Sequence, residues 1–389
     1  MAYIRKIGLT WYYTVDIGLT LEGKRDQKKK GGFKTKKEAQ LAAGKIEDEV
    51  ASGLYIRETD TTFKEFVAEW LELYSDNVKE STVRVREHEI GCLTRHIGKL
   101  TKMKDITIKK YEKSLSALKK EGYAANTLAG IHGTAKMIFK KAMEFRVIRS
   151  DPTQYAKLPR VQKTVEELEQ ETEIPKYLEK EQLSLFLKNA QNRGLEGDYT
   201  IFLTLAYTGM RAGELCALKW SDIDFDEHTI SITKTYYNPG NKITAYKLQT
   251  PKTPSSKRNI EIDDMVIKEL QQHQSKQNIV KMEHRKEWHD KKFVFAKTDK
   301  NYGYPNYIKF VENRMTRLLK TSKLPEELTP HSLRHTHTSL LAEAGVGLEE
   351  IMERLGHSDD EITRKVYLHV TKTKKKEASQ KFSELMRNL

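Results

Sequence analysis

The period of the hydrophobic pattern changes near residue 60, and this change constrains the possible fold more than any other feature of the sequence. Between residues 3 and 33, apolar and polar residues alternate around Trp11, Tyr12 and Tyr13, which is typical of short β-strands. This segment predicts two or three strands with a turn at Gly31-Gly32, followed by a helix. The chain therefore begins with a small module of β-sheet and helix.

An all-helical block follows this module. From Thr62 onward, apolar residues recur at helical spacing, and Thr62 with Glu65 has the spacing of a helix-capping box. Further helices are predicted at about residues 81–97, 105–121 and 125–145. The block ends at Ser150-Asp151-Pro152, because the residue before a proline resists the helical conformation.

The second half of the chain has a different organisation. Residues 156–177 are polar with an acidic run, as in an interdomain linker, and a β region at about 228–262 lies among helices further on. The expected fold class is multidomain, mainly α with small β-sheets. The predicted domains are 1–58, a β-sheet-plus-helix module; 59–155, a helical domain; 156–176, a linker; and 177–389, an α+β domain with a C-terminal tail.

The charge of the chain indicates a polyanionic partner. Its 389 residues include 69 Lys and Arg against 55 Asp and Glu, a formal net charge of +14. This balance favours nucleic acid, although a solvated lysine-rich surface gives the same count. Six lysines cluster in the opening module: Lys28, Lys29, Lys30, Lys34, Lys36 and Lys37. A sheet that carries them suits a DNA groove, with the lysines on phosphates; the alternative is a plain sheet-and-helix fold with a basic loop.

Cysteine usage and hydropathy predict the compartment. Cys92 and Cys216 lie far apart without metal-ligand spacing, so a reducing environment is expected and a disulfide framework is not. The sequence shows neither a signal-peptide pattern nor an apolar stretch of membrane length. We therefore expect a soluble cytoplasmic protein with no membrane partner.

Two arginine motifs, far apart in the sequence, indicate a site that binds phosphate. Thr329-Pro330 predicts a helix start, which places His331 and Arg334 one turn apart near free backbone N–H groups, a natural site for a phosphate. Arg211 follows a glycine turn and opens another helix, so it also suits a bound anion. Two arginines on one phosphate would stabilise the extra charge of a pentavalent transition state.

Each motif alone also has a structural interpretation. His331 and Arg334 equally suit an ordinary surface helix. Arg211 equally suits a structural salt bridge with Glu214, one turn further on, although Glu214 would also orient Arg211 towards a ligand. The two interpretations of each motif stay open on local sequence alone.

The histidines also have a metal interpretation, which the sequence does not favour. His331, His335 and His337 include a zinc-like spacing, but neither an HExxH glutamate nor a cysteine or carboxylate cluster accompanies them. His335 and His337 are interpreted as helix-packing or capping residues. A Walker-type glycine loop is lacking too, so we predict no metal and no cofactor.

A tyrosine near the end of the chain completes the set. Gly356 predicts the end of a helix, His357 follows it, and Tyr367 falls on the next helix among aliphatic residues. Such a tyrosine is ordinarily a core residue. A tyrosine that attacks phosphorus must lose a proton whose ordinary pKa is about 10, so it needs cations and a base such as His331.

A lysine between strands supplies a candidate general acid. Lys252 lies between two prolines in a predicted turn, where a flexible ammonium suits protonation of a departing 5′ oxygen. Three other lysines of the same hairpin compete for this role: Lys242, Lys247 and Lys257.

The ordered set closely resembles the tyrosine recombinase family, the integrases of phages and conjugative transposons. The resemblance covers roughly residues 177–380 and is carried by Thr208-Gly-Met-Arg-Ala-Gly-Glu-Leu215, His331-Ser-Leu-Arg-His-Thr336, Leu355-Gly-His357 and Tyr367. It implies that Tyr367 forms a 3′-phosphotyrosyl link and frees a 5′ hydroxyl. His331 would act as acid and base, and Lys252 would protonate the leaving group. Three residues would hold the scissile phosphate: Arg211, Arg334 and His357.

The resemblance also implies partners. Residues 59–155 look like a core-binding domain and residues 1–58 like an arm-type DNA-binding domain, so double-stranded DNA with core and arm attachment sites is expected. A homotetramer on DNA and accessory bending or directionality proteins are implied as well. The expected function is site-specific integration and excision of a mobile element through a Holliday junction. The alternatives are a type IB topoisomerase-like relaxing enzyme and a non-catalytic DNA-binding regulator.

Overall fold

The structure of the protein is a computed structural model that describes most of the chain. The described residues are 2–19, 23–53, 55, 60–159, 176–240, 242–251, 253–356 and 361–387. The chain divides into two compact units, residues 1–163 and 164–389. Most of the predicted linker lies outside the described residues. Among the helices that are described, none combines the length and the apolar character needed to cross a membrane.

The first unit opens with a three-stranded antiparallel sheet, as the alternating pattern predicts. Its strands follow the order β1-β2-β3. Their bounds are β1 Tyr3–Ile7, β2 Thr10–Leu19 and β3 Arg25–Phe33, and helix α1 follows at Lys36–Ala51. Thr35 and Glu38 form a capping box at the start of α1. One face of the sheet buries Tyr13 and Val15 against Ala43 of this helix, and two lysines of β3, Lys29 and Lys30, are exposed.

The predicted turn at Gly31-Gly32 is wrong, because both glycines lie inside β3. A Cβ at Gly31 would collide with the ring of Tyr12, and Gly32 has a φ of 90°. The register between β2 and β3 also shifts between Trp11 and Tyr13. These glycines therefore serve a β-bulge and the close approach of an aromatic ring rather than a chain reversal.

The first unit continues as a bundle of four helices. Their bounds are α2 Phe63–Ser75, α3 Glu80–Ile97, α4 Ile108–Lys120 and α5 Ala125–Glu144. The predicted capping box is present, since the Glu65 amide donates to Thr62 Oγ1 at 3.3 Å and the Thr62 amide to Glu65 Oε2 at 2.8 Å. Large apolar side chains from all four helices share one core. Local helical periodicity therefore predicted this bundle to within a few residues.

The second unit is mainly helical with two small sheets. Its helices are α6 Lys180–Arg193, α7 Asp198–Thr208, α8 Ala212–Ala217, α9 Asp264–Glu283, α10 Ile308–Thr321, α11 Pro330–Glu343, α12 Leu348–Leu355 and α13 Glu361–Arg387. Its strands are β4 Ile223–Asp224, β5 Thr229–Ile232, β6 Thr235–Tyr237, β7 Lys247–Gln249 and β8 Arg258–Glu261. Strands β4, β5 and β8 form an antiparallel sheet, and β6 pairs with β7.

Helix α7 lies at the centre of the second unit. It is buried along almost its whole length, including its polar residues Asp198 and Thr204, with α6, α9 and α11 packed around it. Helix α11 is also largely buried despite its many polar residues. The C-terminal turn of α7, which precedes Arg211, is thereby held against α11, which carries Arg334.

Candidate functional site

Arg211 is the N-cap residue of α8 and lies just after a left-handed turn at Gly209. Its backbone N–H donates to Glu214 Oε2 at 3.0 Å, and its Nη1 donates to Glu214 Oε1 at 2.9 Å. The Glu214 side chain is 3% exposed, whereas that of Arg211 is 37% exposed. The contact suggested by their spacing is present, and it leaves part of the guanidinium open to a ligand.

Glu214 has a second partner that sequence reasoning missed. Arg258, on β8, donates from Nη2 to Glu214 Oε2 at 2.9 Å and from Nη1 to Oε1 at 3.4 Å. Burial alone would raise the pKa of Glu214, but the charge of Arg258 and the hydrogen bonds from Arg258 and Arg211 outweigh it and lower that pKa. The carboxylate is therefore ionised and fixes two guanidinium groups beside each other.

Arg258 also reaches the end of helix α12. Its Nε donates to the carbonyl of Arg354 at 2.8 Å, and its Nη1 donates to the carbonyl of Ser256 at 3.1 Å. Because α12 ends at Leu355, the residue after Arg354, this contact fixes the backbone that leads through Gly356 into His357. Arg258 has no spacing relation to Glu214 or Arg354 that a sequence pattern reveals.

Arg334 links the two arginine motifs directly. Helix α11 starts at Pro330 with Thr329 as its N-cap, as predicted, and Arg334 lies one turn further on with only 1% of its surface exposed. Its Nη1 donates to the Gly209 carbonyl at 2.7 Å, across 125 residues of sequence, and its Nη2 donates to the Leu355 carbonyl. Arg334 thus joins the turn before Arg211 to the end of α12.

The histidines of α11 have different environments. His331 is exposed at the first turn, with its ring centroid 4.8 Å from that of His335. His335 and His337 are buried, in agreement with the packing role predicted for them. Burial and the charge of Arg354 lower the pKa of His337 to about 3. Of the three, His331 is the one available to solvent for proton transfer.

His337 and Arg354 connect three elements behind the arginines. Arg354 Nε donates to His337 Nε2 at 3.2 Å, so the other ring nitrogen carries the proton and donates to the Ala206 carbonyl at 2.9 Å. Arg354 Nη2 also donates to the Glu261 carbonyl at 2.9 Å. These bonds hold α12 against α7, α11 and β8, so the helix that precedes His357 has a fixed position.

Tyr367 lies on α13, as predicted, and is half-buried. It packs against a small apolar cluster that includes Ile351 and Leu355 of α12 and Val370 of its own helix. In the part of the chain that the structure describes, no hydrogen bond joins its hydroxyl to Arg211 or Arg334. The structure therefore joins the two arginine motifs through Gly209 and places Tyr367 against α12, the helix whose Leu355 carbonyl binds Arg334.

Lys252 and His357 lie outside the described residues, but their sequence neighbours meet. Gly356 ends α12 with a φ of 70°, as its position predicted, and a Cβ there would lie 3.0 Å from Ser256 Cα. Ser256 Oγ also donates to the Gly356 carbonyl at 3.5 Å. The alternative lysines of the hairpin, Lys242, Lys247 and Lys257, are all exposed.

The described arrangement suits an anion that carries developing negative charge. Arg211 and Arg258 share the Glu214 carboxylate, while Arg334 binds only backbone carbonyls, so a net positive charge remains for a ligand, and Arg211 presents it at the surface. The residues that the structure describes contain no group of three or more His, Cys, Asp or Glu that could hold a metal ion. The chemistry available here is phosphate binding by arginine with a tyrosine and a histidine nearby in the fold.

Comparisons with known proteins identify the class. The model of the phage integrase family matches residues 176–374, an arm DNA-binding domain model matches 3–50, and an N-terminal SAM-like domain model of phage integrases matches 62–118. The protein is thus a tyrosine-type site-specific DNA recombinase. The chain belongs to the phage integrase family.

Individual relatives agree with this assignment. The chain is 29% identical to an integrase of Staphylococcus phage L54a over 84% of this chain and 93% of that protein. It is 27% identical to a XerC-like tyrosine recombinase of Caldanaerobacter subterraneus over 96% of each. Among solved structures, the Tn1549 transposon integrase in complex with a circular intermediate DNA has a TM-score of 0.63 and 25% identity, over 78% of this chain and 94% of that one.

Proposed function

We propose that this recombinase integrates and excises a mobile genetic element. The observation that carries the proposal is the bond from Arg334 Nη1 to the Gly209 carbonyl, because it unites two arginine motifs whose joint role is to bind one phosphate. The phage and transposon origins of its relatives support a mobile element as the substrate. The formal net charge of +14 suits a DNA partner.

The proposed reaction divides the work among six residues. The Tyr367 oxygen bonds to the scissile phosphorus while the bond from phosphorus to the 5′ oxygen breaks, which gives a 3′-phosphotyrosyl link. His331 takes up the tyrosine proton, and Lys252 gives a proton to the departing 5′ oxygen. Three residues hold the phosphate: Arg211, Arg334 and His357. A 5′ hydroxyl of another strand reverses these steps, so the phosphodiester energy is kept without a nucleotide cofactor.

We propose the domain division 1–58, 59–155, 156–176 and 177–389, with DNA contacts in each folded domain. The family models for an arm DNA-binding domain and a SAM-like domain fall within the first two ranges. The exposed lysines of β3, Lys29 and Lys30, suit phosphates of arm-type sites. The helical bundle and the catalytic domain would share the core site.

Strand exchange itself implies four copies. Two duplexes contain four strands, each strand needs one tyrosine for its cleavage, and the exchange passes through a Holliday junction. We therefore propose a homotetramer on DNA, assembled at core and arm sites, with DNA-bending or directionality proteins as possible additional partners. Each copy supplies one Tyr367.

A nicked suicide substrate tests the chemistry. Cleavage beside a nick releases a short strand that diffuses away, so the covalent protein–DNA adduct accumulates and appears on a denaturing gel. We expect adduct with the native protein and none with Tyr367→Phe, whereas the matched variant Tyr302→Phe keeps it. Adduct formation by Tyr367→Phe at the native rate would rule out this nucleophile.

Two further measurements separate the alternatives. Recombination between paired attachment sites distinguishes an integrase from a relaxing enzyme, which changes plasmid supercoiling without joining two sites. Deletion of residues 1–58 should spare covalent attachment at a core site but impair integration, because arm contacts would be lost. Full integration by the shortened chain would contradict the arm-binding role.

A further inference from the structure

An aromatic cluster lies at the loop end of the β6–β7 hairpin, where the chain enters β7. Tyr246, the residue before β7, has its ring parallel to that of Tyr236, with centroids 6.0 Å apart. Three other rings meet it edge-on: His289 at 6.1 Å, Phe293 at 5.5 Å and Tyr304 at 6.2 Å. The Tyr246 hydroxyl also lies 3.1 Å from His289 Nε2. The hairpin is thereby fastened to the segment that follows α9.

The partner segment is itself held firmly. His289 stacks on Tyr304 with centroids 3.9 Å apart and planes 10° from parallel. A Cβ at Gly303 would lie 2.7 Å from the His289 carbonyl oxygen, so the backbone near Gly303 packs directly against the backbone of His289. Phe293 is 1% exposed in the core of the unit. Tyr246 therefore docks on a surface that has little freedom to move.

The end of the hairpin away from its loop packs against α8, the helix that Arg211 caps. Strand β6 packs on α8, and a Cβ at Gly213 would lie 2.7 Å from Thr235 Oγ1. Thr235 pairs with Gln249 across the hairpin, and Lys252 follows Gln249 by three residues in the sequence. The position of β7 relative to Arg211 thus depends on both contacts, one through Gly213 and one through Tyr246.

We propose that Tyr246 and His289 are positioning residues that hold the β6–β7 hairpin so that Lys252 delivers its proton to the departing 5′ oxygen. This inference rests on the proposed function. In the cleavage step the P–O5′ bond breaks as the Tyr367 oxygen bonds to phosphorus, and the Lys252 ammonium proton goes to O5′. Tyr246 and His289 act through the hairpin and touch neither DNA strand nor phosphate.

A change of leaving group tests this role. A substrate with sulfur in place of the bridging 5′ oxygen releases a thiolate, whose conjugate acid has a pKa of about 8.5, so its departure needs no general acid. Lys252→Ala should lose about 100-fold in adduct formation on the oxygen substrate, within the usual range for acid catalysis, and recover on the sulfur substrate. The rates of Lys252→Ala on the oxygen and sulfur substrates are the reference for the variants at Tyr246 and His289.

Tyr246→Ala should show the same signature, with roughly a tenfold loss on the oxygen substrate and recovery to within a few-fold on sulfur. Tyr246→Phe, which keeps the ring and removes the hydroxyl, should lose less. The matched control is His284→Ala. The ring of His284 stacks on that of Tyr302 with centroids 3.9 Å apart, just as His289 stacks on Tyr304, but neither His284 nor Tyr302 has a ring contact with Tyr246. That variant should cleave both substrates at the native rate.

The outcomes distinguish a failure of the positioning role of Tyr246 and His289 from a failure of the proposed cleavage reaction. Equal losses on both substrates by Tyr246→Ala, or no loss, would overturn the positioning role. If that variant unfolds, His289→Ala is compared on the same two substrates with the same criterion. Lack of sulfur recovery in Lys252→Ala would overturn the inference by removing the acid. A native protein that forms no Tyr367-dependent adduct on either substrate would instead refute the proposed function.

Discussion

Arg258 donates hydrogen bonds to both carboxylate oxygens of Glu214, and the same carboxylate also binds Arg211. The side chains of Arg258 and Glu214 are 5% and 3% exposed, so their charges are almost completely removed from water. One buried carboxylate therefore sets the position of an arginine at the surface and of an arginine in the interior. The position of Arg211 at the proposed phosphate site therefore depends on Glu214, which is not expected to touch the phosphate.

Replacement of Arg258 by alanine should destabilise the second unit strongly. Glu214 would keep Arg211 but lose its buried partner, and a broken buried ion pair costs about 3–5 kcal/mol. Urea unfolding gives the free energy, and the suicide substrate gives the cleavage rate, which should fall as well. Lys234→Ala is the control, since its pair with Asp222 is more exposed, at 23% and 12%, and should cost roughly 1 kcal/mol or less. Equal costs for the two variants would contradict the role assigned to Arg258.

Two glycines that flank α7 offer a matched pair of substitutions. Gly197 and Gly209 both have positive φ, 80° and 62°. At Gly209 a Cβ would lie 2.7 Å from both His337 Cδ2 and Leu355 Cδ2, whereas at Gly197 nothing lies within 4 Å. Gly197→Ala should cost about 1 kcal/mol of backbone strain, and Gly209→Ala about 2–5 kcal/mol because overpacking is added.

Cleavage should respond to the same pair in different ways. The Gly209 carbonyl accepts the Arg334 bond, so a shifted turn should displace both arginines and lower adduct formation. Gly197→Ala should cleave at the native rate. If both variants lose equal stability by urea unfolding and equal activity, the contact of Gly209 with His337 and Leu355 does not govern the site.

Local signals explain why much of the fold follows from the sequence. Thr62 with Glu65 and Thr329 with Pro330 mark helix starts that the structure confirms. The contact between Arg211 and Glu214 follows from their separation of one helical turn. Each of these signals acts within four residues, where spacing and backbone geometry are directly coupled.

The interactions that assemble the site lack such a signal. Arg334 reaches Gly209 across 125 residues, and Arg258 reaches Glu214 across 44. Tertiary packing sets these distances. Because every residue has a backbone carbonyl, the sequence does not show which residue an arginine such as Arg334 will bind. The turn predicted at Gly31-Gly32 failed for a related reason, because the ring of Tyr12 comes from another strand.

Arg211→Ala and Arg334→Ala should differ in stability while agreeing in activity. Each should lower cleavage by about 100-fold or more through lost transition-state stabilisation, with modest loss of DNA affinity because many lysines share the binding. Arg334 is 1% exposed and binds two carbonyls, so its removal should also destabilise the fold by about 2–4 kcal/mol. Arg211 is 37% exposed and its partner Glu214 keeps Arg258, so its removal should cost less, about 1 kcal/mol. Gel-shift titration, urea unfolding and the suicide substrate measure the three effects; native cleavage by either variant would reject the phosphate clamp.

The stability of the second unit should fall as the solution becomes mildly acidic, because His337 is buried in its neutral form. Burial and Arg354 lower the pKa of His337 to about 3, against 6.5 for the ordinary group. Below pH 6.5 the unfolded chain therefore takes up a proton that the folded chain does not, and folding loses up to about 1.4 kcal/mol per pH unit for this one group. The stabilisation is fully present above pH 6.5 and is lost as pH falls towards 3.

His337→Asn isolates this contribution, because an amide stays neutral throughout and can still donate to the Ala206 carbonyl. Urea unfolding at pH 7, 6 and 5 should give a shallower loss of stability with pH for the variant than for the native protein. The slope should not vanish, since burial also lowers the pKa of His273 and of His289, two other histidines of the second unit. The pH range above 5 keeps most ordinary carboxylates ionised, so their titration contributes little to the difference. Identical slopes for the two proteins would show that His337 is protonated in the folded state, and the bond it accepts from Arg354 would then have to be absent.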